Sequence, residues 1–569
     1  MGTIDYWVII IFSLVIVVAG ISFGKRGGDM KSFFAAGGAV PWSISGLSLF
    51  MSFFSAGTFV VWGSIAYEYG WVAITIQWTM CISGFIVGHY LAPRWRQTKV
   101  LTAAEFISKR FGISVQQFYT YLFLILSLGY TGAFLYPVAK LLNVSTGLGI
   151  EASILFLGIL IIIYTTIGGL WAVVVTDVLQ FVILTAAVLL VIPLALERVG
   201  GWQGFTNDVP PEFFNIFSGE YTLWFVIAFT FYNSIFIGGN WAYVQRYTSV
   251  KNQFDARKVG YLFGALYIIS PLIWMIPPML YRSVNPDLTG LENEGAYLLM
   301  CQEVLPVGML GLMLGGMIFA TASSVNTSLN LAAAVLTNDV FKYFKPKSSS
   351  GQLMLVARIS TILFGIGTIV VALLVPAAGG IVEVVLSIGA VTGGSLYGPP
   401  IWGLFSRRLT GKAIFWITLT SLLINVFFKL LAPGILGISL DRGNEMMLGV
   451  AVPLILLAGF EFFSYLKKNT STSYLKYQAT ISTDEETLPL EKLKTDEQNT
   501  YGIKVIAMAL GTISLLFFGL SIIAQKGIIL LILLGLLILG LAFYLYRSTK
   551  LIGDNGGETD KLKKKQLKV

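Results

Sequence analysis

Runs of about 20 apolar residues, each long enough to cross a bilayer as a helix, recur along the whole chain. Fifteen are predicted, near residues 6–24, 41–65, 70–92, 117–142, 151–168, 171–194, 222–243, 260–281, 306–338, 355–376, 381–405, 413–432, 445–466, 503–525 and 527–546. The run at 306–338 is longer than a bilayer needs and is expected to leave the membrane before its end. The first run has no basic stretch ahead of it and is followed by Lys25 and Arg26, so it reads as a retained span rather than a cleaved signal peptide. One long polar interruption, residues 467–502, sets the last two runs apart; it reads as a cytoplasmic linker.

Composition then removes whole classes of function. Of 569 residues, 56% are hydrophobic and 12% charged, where an ordinary soluble domain carries about 25% charged residues. A soluble core of this size could not hide that apolar surplus, which excludes a soluble enzyme, a disordered chain and a nucleic-acid binder. Cys81 and Cys301 are the two cysteines, and Cys81 lies within an apolar run, which excludes a disulfide framework. The protein is expected to be polytopic, with the lipid bilayer as its solvent.

The net charge of +9 is explained by where the bases fall. Alternate loops carry Lys25, Arg26 and Lys31; Arg94, Arg96, Lys99, Lys109 and Arg110; Arg246, Lys251, Arg257 and Lys258; Lys342, Lys345 and Lys347; and Arg407, Arg408 and Lys412. With the 467–502 linker and the tail from Arg547, these hold about four-fifths of all Lys and Arg, which marks that side as cytoplasmic. The opposite loops are acidic or neutral. The N-terminus is therefore expected outside, the C-terminus in the cytoplasm, and the location a cell (plasma) membrane. The closing KLKKKQLKV could bind anionic lipid, though a solvated topology anchor is the plainer reading.

Polar residues inside spans are costly unless they line an enclosed site. The second span, PWSISGLSLFMSFFSAGTF, clusters Ser52, Ser55, Gly57 and Thr58 at mid-membrane, and the seventh, FTFYNSIFIGGNW, does the same with Asn233, Ser234, Gly238 and Gly239. Such residues let a helix unwind and free its backbone for a ligand, although small residues also simply pack helices together. Two such stretches five spans apart predict a discontinuous-helix transporter. Five is odd, so spans 2–6 and 7–11 start from opposite sides and form inverted repeats. The expected divisions are 1–32, an extra helix and loop; 33–200 and 201–412, the two repeats; 413–466, two further helices; the 467–502 linker; and 503–569, two last helices and a basic tail.

The ninth span contains FATASSVNTSLN, with Ser323, Ser324, Asn326, Thr327, Ser328 and Asn330. Hydroxyl and amide oxygens suit a hard alkali cation; bonding back to the carbonyl one turn earlier is their plainer use. Asp177, in WAVVVTDVLQF, is a carboxylate within a span and a functional candidate, with a salt bridge or helix cap as the alternative.

TAAEFISKRFG at 102–112, IGGLWAVVVTDVLQ at 167–180, FATASSVNTSLN at 319–330 and GPPIWGLF at 398–405 resemble the sodium/solute symporters, which include sodium/glucose, proline, sialic-acid and iodide transporters. The resemblance runs from about residue 5 to 466. It implies an all-α polytopic membrane protein with a LeuT-like five-plus-five inverted repeat, one extra N-terminal helix and four helices added at the end. It implies Na+ as coupling ion, held at a main site by carbonyls of Met51, Phe54 and Ala320 and hydroxyls of Ser323 and Ser324. A second sodium site of some members maps onto Asp177, Ser323, Asn326 and Thr327, with Asn326 standing where those members have a hydroxyl. Galactose-type members have a glutamine, a glutamate and a lysine where this chain has Thr58, Gln77 and Tyr267, but Asn233 is retained. Ser55, Thr58 and Gln77 are similar to the sialic-acid members, whose fourth-span arginine has no counterpart here. Phe236 falls where sugar carriers place an aromatic inner gate.

The function expected is sodium-coupled import of a small polar solute by alternating access. The pocket supplies hydroxyls and amides but no cation for a carboxylate, so a sugar or related polyhydroxylated compound is favoured. An organic acid such as sialic acid or a monocarboxylate, or an amino acid, is the alternative. A membrane enzyme is disfavoured because His89 is the single histidine, too few for a histidine-ligated metal cluster. A receptor is disfavoured by the shortness of the polar segments, and a channel is separable by counterflow.

Overall fold

Backbone polar groups in a bilayer must be satisfied within the segment, so apolar runs of this length fold as helices. The computed structural model describes residues 1–24, 40–100, 102–164, 170–341, 345, 347–483 and 489–566; the side chains of Asp177, Ser323, Asn326 and Thr327 lie outside the described residues. Among the described residues there is no named strand, only two isolated bridges, Val40–Val250 and Ser218–Tyr221.

The helices run in chain order as follows. The first is α1 (Thr3–Gly24). The second span is α2 (Trp42–Met51), a π-helical turn (Thr58–Trp62) and α3 (Gly63–Tyr69). The third is α4 (Val72–Ile86) running into α5 (Ala92–Gln97), and α6 (Ala103–Phe111) is a short helix beyond it. The next three spans are α7 (Ile113–Thr146), α8 (Ile150–Tyr164) and α9 (Leu170–Arg198). After the short α10 (Gly201–Asp208), the seventh span is α11 (Leu223–Gly239) with α12 (Trp241–Thr248). The eighth is α13 (Gln253–Trp274) with α14 (Ile276–Val284), and the short α15 (Ala296–Val304) lies beyond it. Then come α16 (Met309–Val335), α17 (Ser350–Leu374), α18 (Ile381–Gly403), α19 (Gly411–Val426) and α20 (Arg442–Leu466). The chain closes with α21 (Thr472–Thr483), α22 (Pro489–Ile523) and α23 (Ile528–Gln566).

Among the described residues ten helices are long and apolar enough to cross a membrane, eleven when α11–α12 is one bent span, with four shorter apolar helices besides. Each of the fifteen expected runs therefore contains a helix. Leu355, Ile359, Leu363, Ile366 and Val370 make an exposed apolar stripe along α17, a surface suited to lipid. In the interior α13 lies along α4, and a Cβ on Gly84 would sit 2.8 Å from the Gly264 backbone, so only glycine allows that approach.

The loop contacts gather at two ends. At one end Arg96 donates to the Val250 carbonyl (2.7 Å) and Arg110 to the Ser406 carbonyl (3.0 Å), while Arg408 pairs with Glu461 (3.0 Å). At the other, Glu294 accepts from Tyr136 Oη (2.8 Å) and the Ile381 N–H (2.9 Å), and Arg442 bridges Glu220 (2.8 Å) and Glu383 (3.2 Å).

Within the polar segment 467–502 the described residues hold α21 and the start of α22. Their Glu, Lys, Gln and Leu are good helix formers, and polarity alone does not prevent a helix. The start of α21 docks on α6, where Arg110 is fully buried beneath Tyr474 (5.1 Å to the ring centre) and donates to Ser473 (3.3 Å). Burial lowers the Arg110 pKa to about 10. Arg246, counted above among the loop bases, is instead buried in α12 and donates through Nε to Ser48 Oγ of α2 (3.0 Å).

Candidate functional site

The second span opens where its small polar residues predict. After Met51 the helix tightens: the Phe53 N–H bonds back to Phe50 (3.0 Å) and the Phe54 N–H to Met51 (3.2 Å), and residues 52–55 leave the helix. Two hydroxyls hold the opening. Thr58 Oγ1 donates to the Phe53 carbonyl (2.7 Å) and accepts from the Ser55 N–H (3.1 Å). Thr321 Oγ1, on α16, accepts from the Ala56 N–H (3.1 Å) and donates to the Met317 carbonyl (3.0 Å). Thr321 thus ties the opening to α16 next to Ala320. The Phe54 carbonyl accepts no hydrogen bond among the described residues, so its lone pairs are available at that junction.

Of the other expected sodium ligands, the Met51 carbonyl already accepts one bond, from Phe54, and keeps a second lone pair. Ser324 Oγ makes a long contact with the Ala320 carbonyl (3.5 Å), a weak version of the back-bonding alternative. The side chains of Ser323, Asp177, Asn326 and Thr327 lie outside the described residues.

Around the opening stand α4, α11 and α13. Phe53 meets Tyr243 (4.6 Å between centroids), Phe263 (5.3 Å) and Phe236 (6.2 Å). Phe236 ends a ladder of stacked rings on α11, with Tyr232 5.5 Å before it, and touches Tyr397 (5.6 Å). Tyr267 is buried against Phe263 (4.8 Å) and Phe50 (5.2 Å). Ser55 and Gln77 are buried. Asn233 is also buried and donates to Thr79 Oγ1 (2.9 Å), two residues beyond Gln77 on α4. No described hydrogen bond joins Gln77 or Asn233 to Ser55. Thr58 is placed at the opening, but its hydroxyl is committed to the loop.

The seventh span breaks one step later than its glycines suggest. Asn233, Ser234, Gly238 and Gly239 all lie in regular α11, and the 61° bend to α12 falls at Asn240. The two glycines serve packing: a Cβ on Gly238 would collide with Leu91, and one on Gly239 would lie 2.7 Å from Tyr397 Cβ. Asn240 makes the corner by capping α12, its Oδ1 accepting from the Ala242 N–H (3.0 Å). His89, off the site, shares a hydrogen bond with Tyr261 Oη (2.9 Å).

Thr321, Asn240 and Arg246 were missed as site-shaping residues. The first sits inside the quoted FATASS stretch, but its spacing does not distinguish it from the neighbouring hydroxyls.

Two sets of five spans, each opened by a broken helix, with one helix before and four after, give the chain the LeuT-like fold. Residues 33–421 match the sodium:solute symporter family, and the chain belongs to that family. It is 26% identical to a sodium/glucose cotransporter of Vibrio parahaemolyticus over 505 residues, covering 80% of this chain and 89% of that protein. It is 29% identical to sodium-coupled monocarboxylate transporter 1 of Xenopus laevis over 430 residues, covering 71% and 68%. A solved substrate-bound, outward-open Na+-coupled sialic acid symporter superposes with a TM-score of 0.66 at 22% identity, covering 83% of this chain and 99% of that one.

Proposed function

We propose that the protein is a sodium-coupled symporter that imports a neutral polyhydroxylated solute, such as a sugar, by alternating access. One observation carries the sodium half: the Phe54 carbonyl, without a hydrogen bond among the described residues, lies at a junction that Thr321 fastens to α16. Carbonyls of Met51, Phe54 and Ala320 with hydroxyls of Ser323 and Ser324 would form a small, low-charge cage suited to Na+. Asp177, Ser323, Asn326 and Thr327 would hold a second ion. Family membership supports sodium as the coupling ion.

The solute would lie beside the opening, against Ser55, Gln77, Asn233, Phe236 and Tyr267, with Thr58 shaping the loop. These groups offer hydroxyls, two amides and aromatic faces. The buried cation Arg246 donates to Ser48, about one turn before the opening in α2. The absence of a charged side chain among Ser55, Gln77, Asn233, Phe236 and Tyr267 favours a neutral solute over the acids that two of the similar proteins carry. The basic loops support an N-terminus outside and a C-terminus in the cytoplasm, in the plasma membrane.

Uptake into proteoliposomes tests the reading, with sugars, sugar acids, amino acids and monocarboxylates each assayed in sodium and in choline. A sugar should accumulate only in sodium and exchange in counterflow. Two charges should enter per solute, each inward charge contributing about 2.3 kcal/mol per 100 mV. Sodium-dependent monocarboxylate uptake with no sugar competing overturns the solute; one charge per neutral solute overturns the second ion.

A further inference from the structure

Two elements outside the five-plus-five core converge on one point, the start of α16. Asp5, in the first turn of α1, is 4% exposed. Its Oδ1 accepts from the N–H groups of Gly308 (2.9 Å) and Gly311 (3.1 Å), while Oδ2 accepts from the Gly2 N–H (2.8 Å). The first N–H groups of any helix lack partners within it and form its positive end. A helix is normally capped from the residue preceding it, but here that residue is Gly308, which has no side chain. The cap comes instead from another helix.

The same point is packed from two directions. Gly308 has φ +88°, and a Cβ there would collide with Leu520 of α22 and lie 3.3 Å from Ile4 and Val8 of α1. A Cβ on Gly311 would collide with the Asp5 carbonyl oxygen, and one on Gly315 would lie 3.0 Å from Phe12 Cδ1. Every one of these approaches fixes α16 along its own axis. From Gly311 to Ala320 the helix is unbroken, and a rise of about 1.5 Å per residue carries that placement to the junction with α2.

We propose that Asp5 is a positioning residue for sodium: by capping α16 from α1, it sets the height at which Ala320, Ser323 and Ser324 meet the opening in α2. This rests on the sodium reading above, and gives α1 and α22 a part in ion binding although neither supplies a ligand.

Purified protein is titrated with NaCl, choline chloride holding ionic strength, and followed by thermal unfolding and tryptophan fluorescence. Asp5→Ala should raise half-saturating sodium about fivefold or more. Asp5→Asn, which keeps an acceptor oxygen in place, should recover most of that loss. A purely structural anchor would lower the melting temperature equally in choline and in sodium and leave half-saturation unmoved, which overturns the proposal. Should Asp5→Ala fail to fold, Gly311→Ala decides, because it forces α1 off α16 with Asp5 intact: a raised half-saturation supports the proposal and an unchanged one rejects it. Ser323→Ala/Ser324→Ala is titrated alongside. If that variant keeps normal sodium dependence, the sodium reading itself fails; if it loses sodium while Asp5→Ala does not, only the role of Asp5 fails.

Discussion

The two broken helices occupy equivalent places in the two repeats, yet they are finished in opposite ways. In the second span four residues leave the helix, and the Phe54 carbonyl is left without a partner among the described residues. In the seventh span a single residue, Asn240, makes the corner, and two of the carbonyls just before it, those of Ile237 and Gly238, are taken. Trp95 Nε1 donates to the Gly238 carbonyl (2.7 Å) and Tyr247 Oη to the Ile237 carbonyl (3.2 Å). Breaking a helix exposes backbone groups; the neighbouring side chains decide whether they stay available. On the sodium reading proposed above, the first break takes a ligand and the second holds a bend.

The sharpest way to break this contrast is to strip the hydroxyls proposed to complete the sodium cage. Ser323→Ala/Ser324→Ala should reduce sodium-driven uptake at limiting sodium by about tenfold or more, equivalent to about 1.4 kcal/mol of ion binding. The protein should still insert and fold, since α16 is a continuous apolar helix. Normal uptake at limiting sodium would remove the sodium site from this junction.

Thr321→Val should come next in size. Valine keeps the shape but leaves the buried Ala56 N–H unpaired, at a cost of about 1–3 kcal/mol. Because that N–H fastens the opening to α16, part of the cost should fall on the sodium-bound form and raise half-saturating sodium severalfold. Thr321→Ser restores the acceptor and should restore the affinity. Equal loss in both variants would mean that packing, not the hydroxyl, matters.

What was legible in the sequence follows from the range of each interaction. Helix existence depends on local apolar runs, so all fifteen spans were visible, as was the opening at residues 52–58 through its crowd of Ser, Gly and Thr. The position of the second break was not, because Gly238 and Gly239 signal close packing as readily as unwinding, and only contact with Leu91 and Tyr397 distinguishes the two. Thr321 was hidden for a related reason: every hydroxyl in FATASSVNTSLN can bond back to its own helix, and which also reaches across is a tertiary fact. Arg246 looked like any loop base, since burial against Ser48 depends on how α12 folds back on α2. Asp5 carries no local signal of its role, its partners lying 303 and 306 residues away.

The smallest effect is expected at the second break, and its smallness is the test. Tyr247→Phe removes one buried hydroxyl and changes little else, returning the Ile237 carbonyl to the state in which the Phe54 carbonyl stands. A lost hydrogen bond of this kind costs about 0.5–1.5 kcal/mol of stability, and a carbonyl tolerates an empty lone pair better than an amide tolerates an unpaired proton. Melting temperature should fall slightly, with half-saturating sodium within about twofold of wild type, since that factor corresponds to under 0.5 kcal/mol. If freeing Ile237 changes sodium affinity as strongly as Thr321→Val does, the second break also belongs to the ion site. The two breaks would then differ in degree rather than in kind.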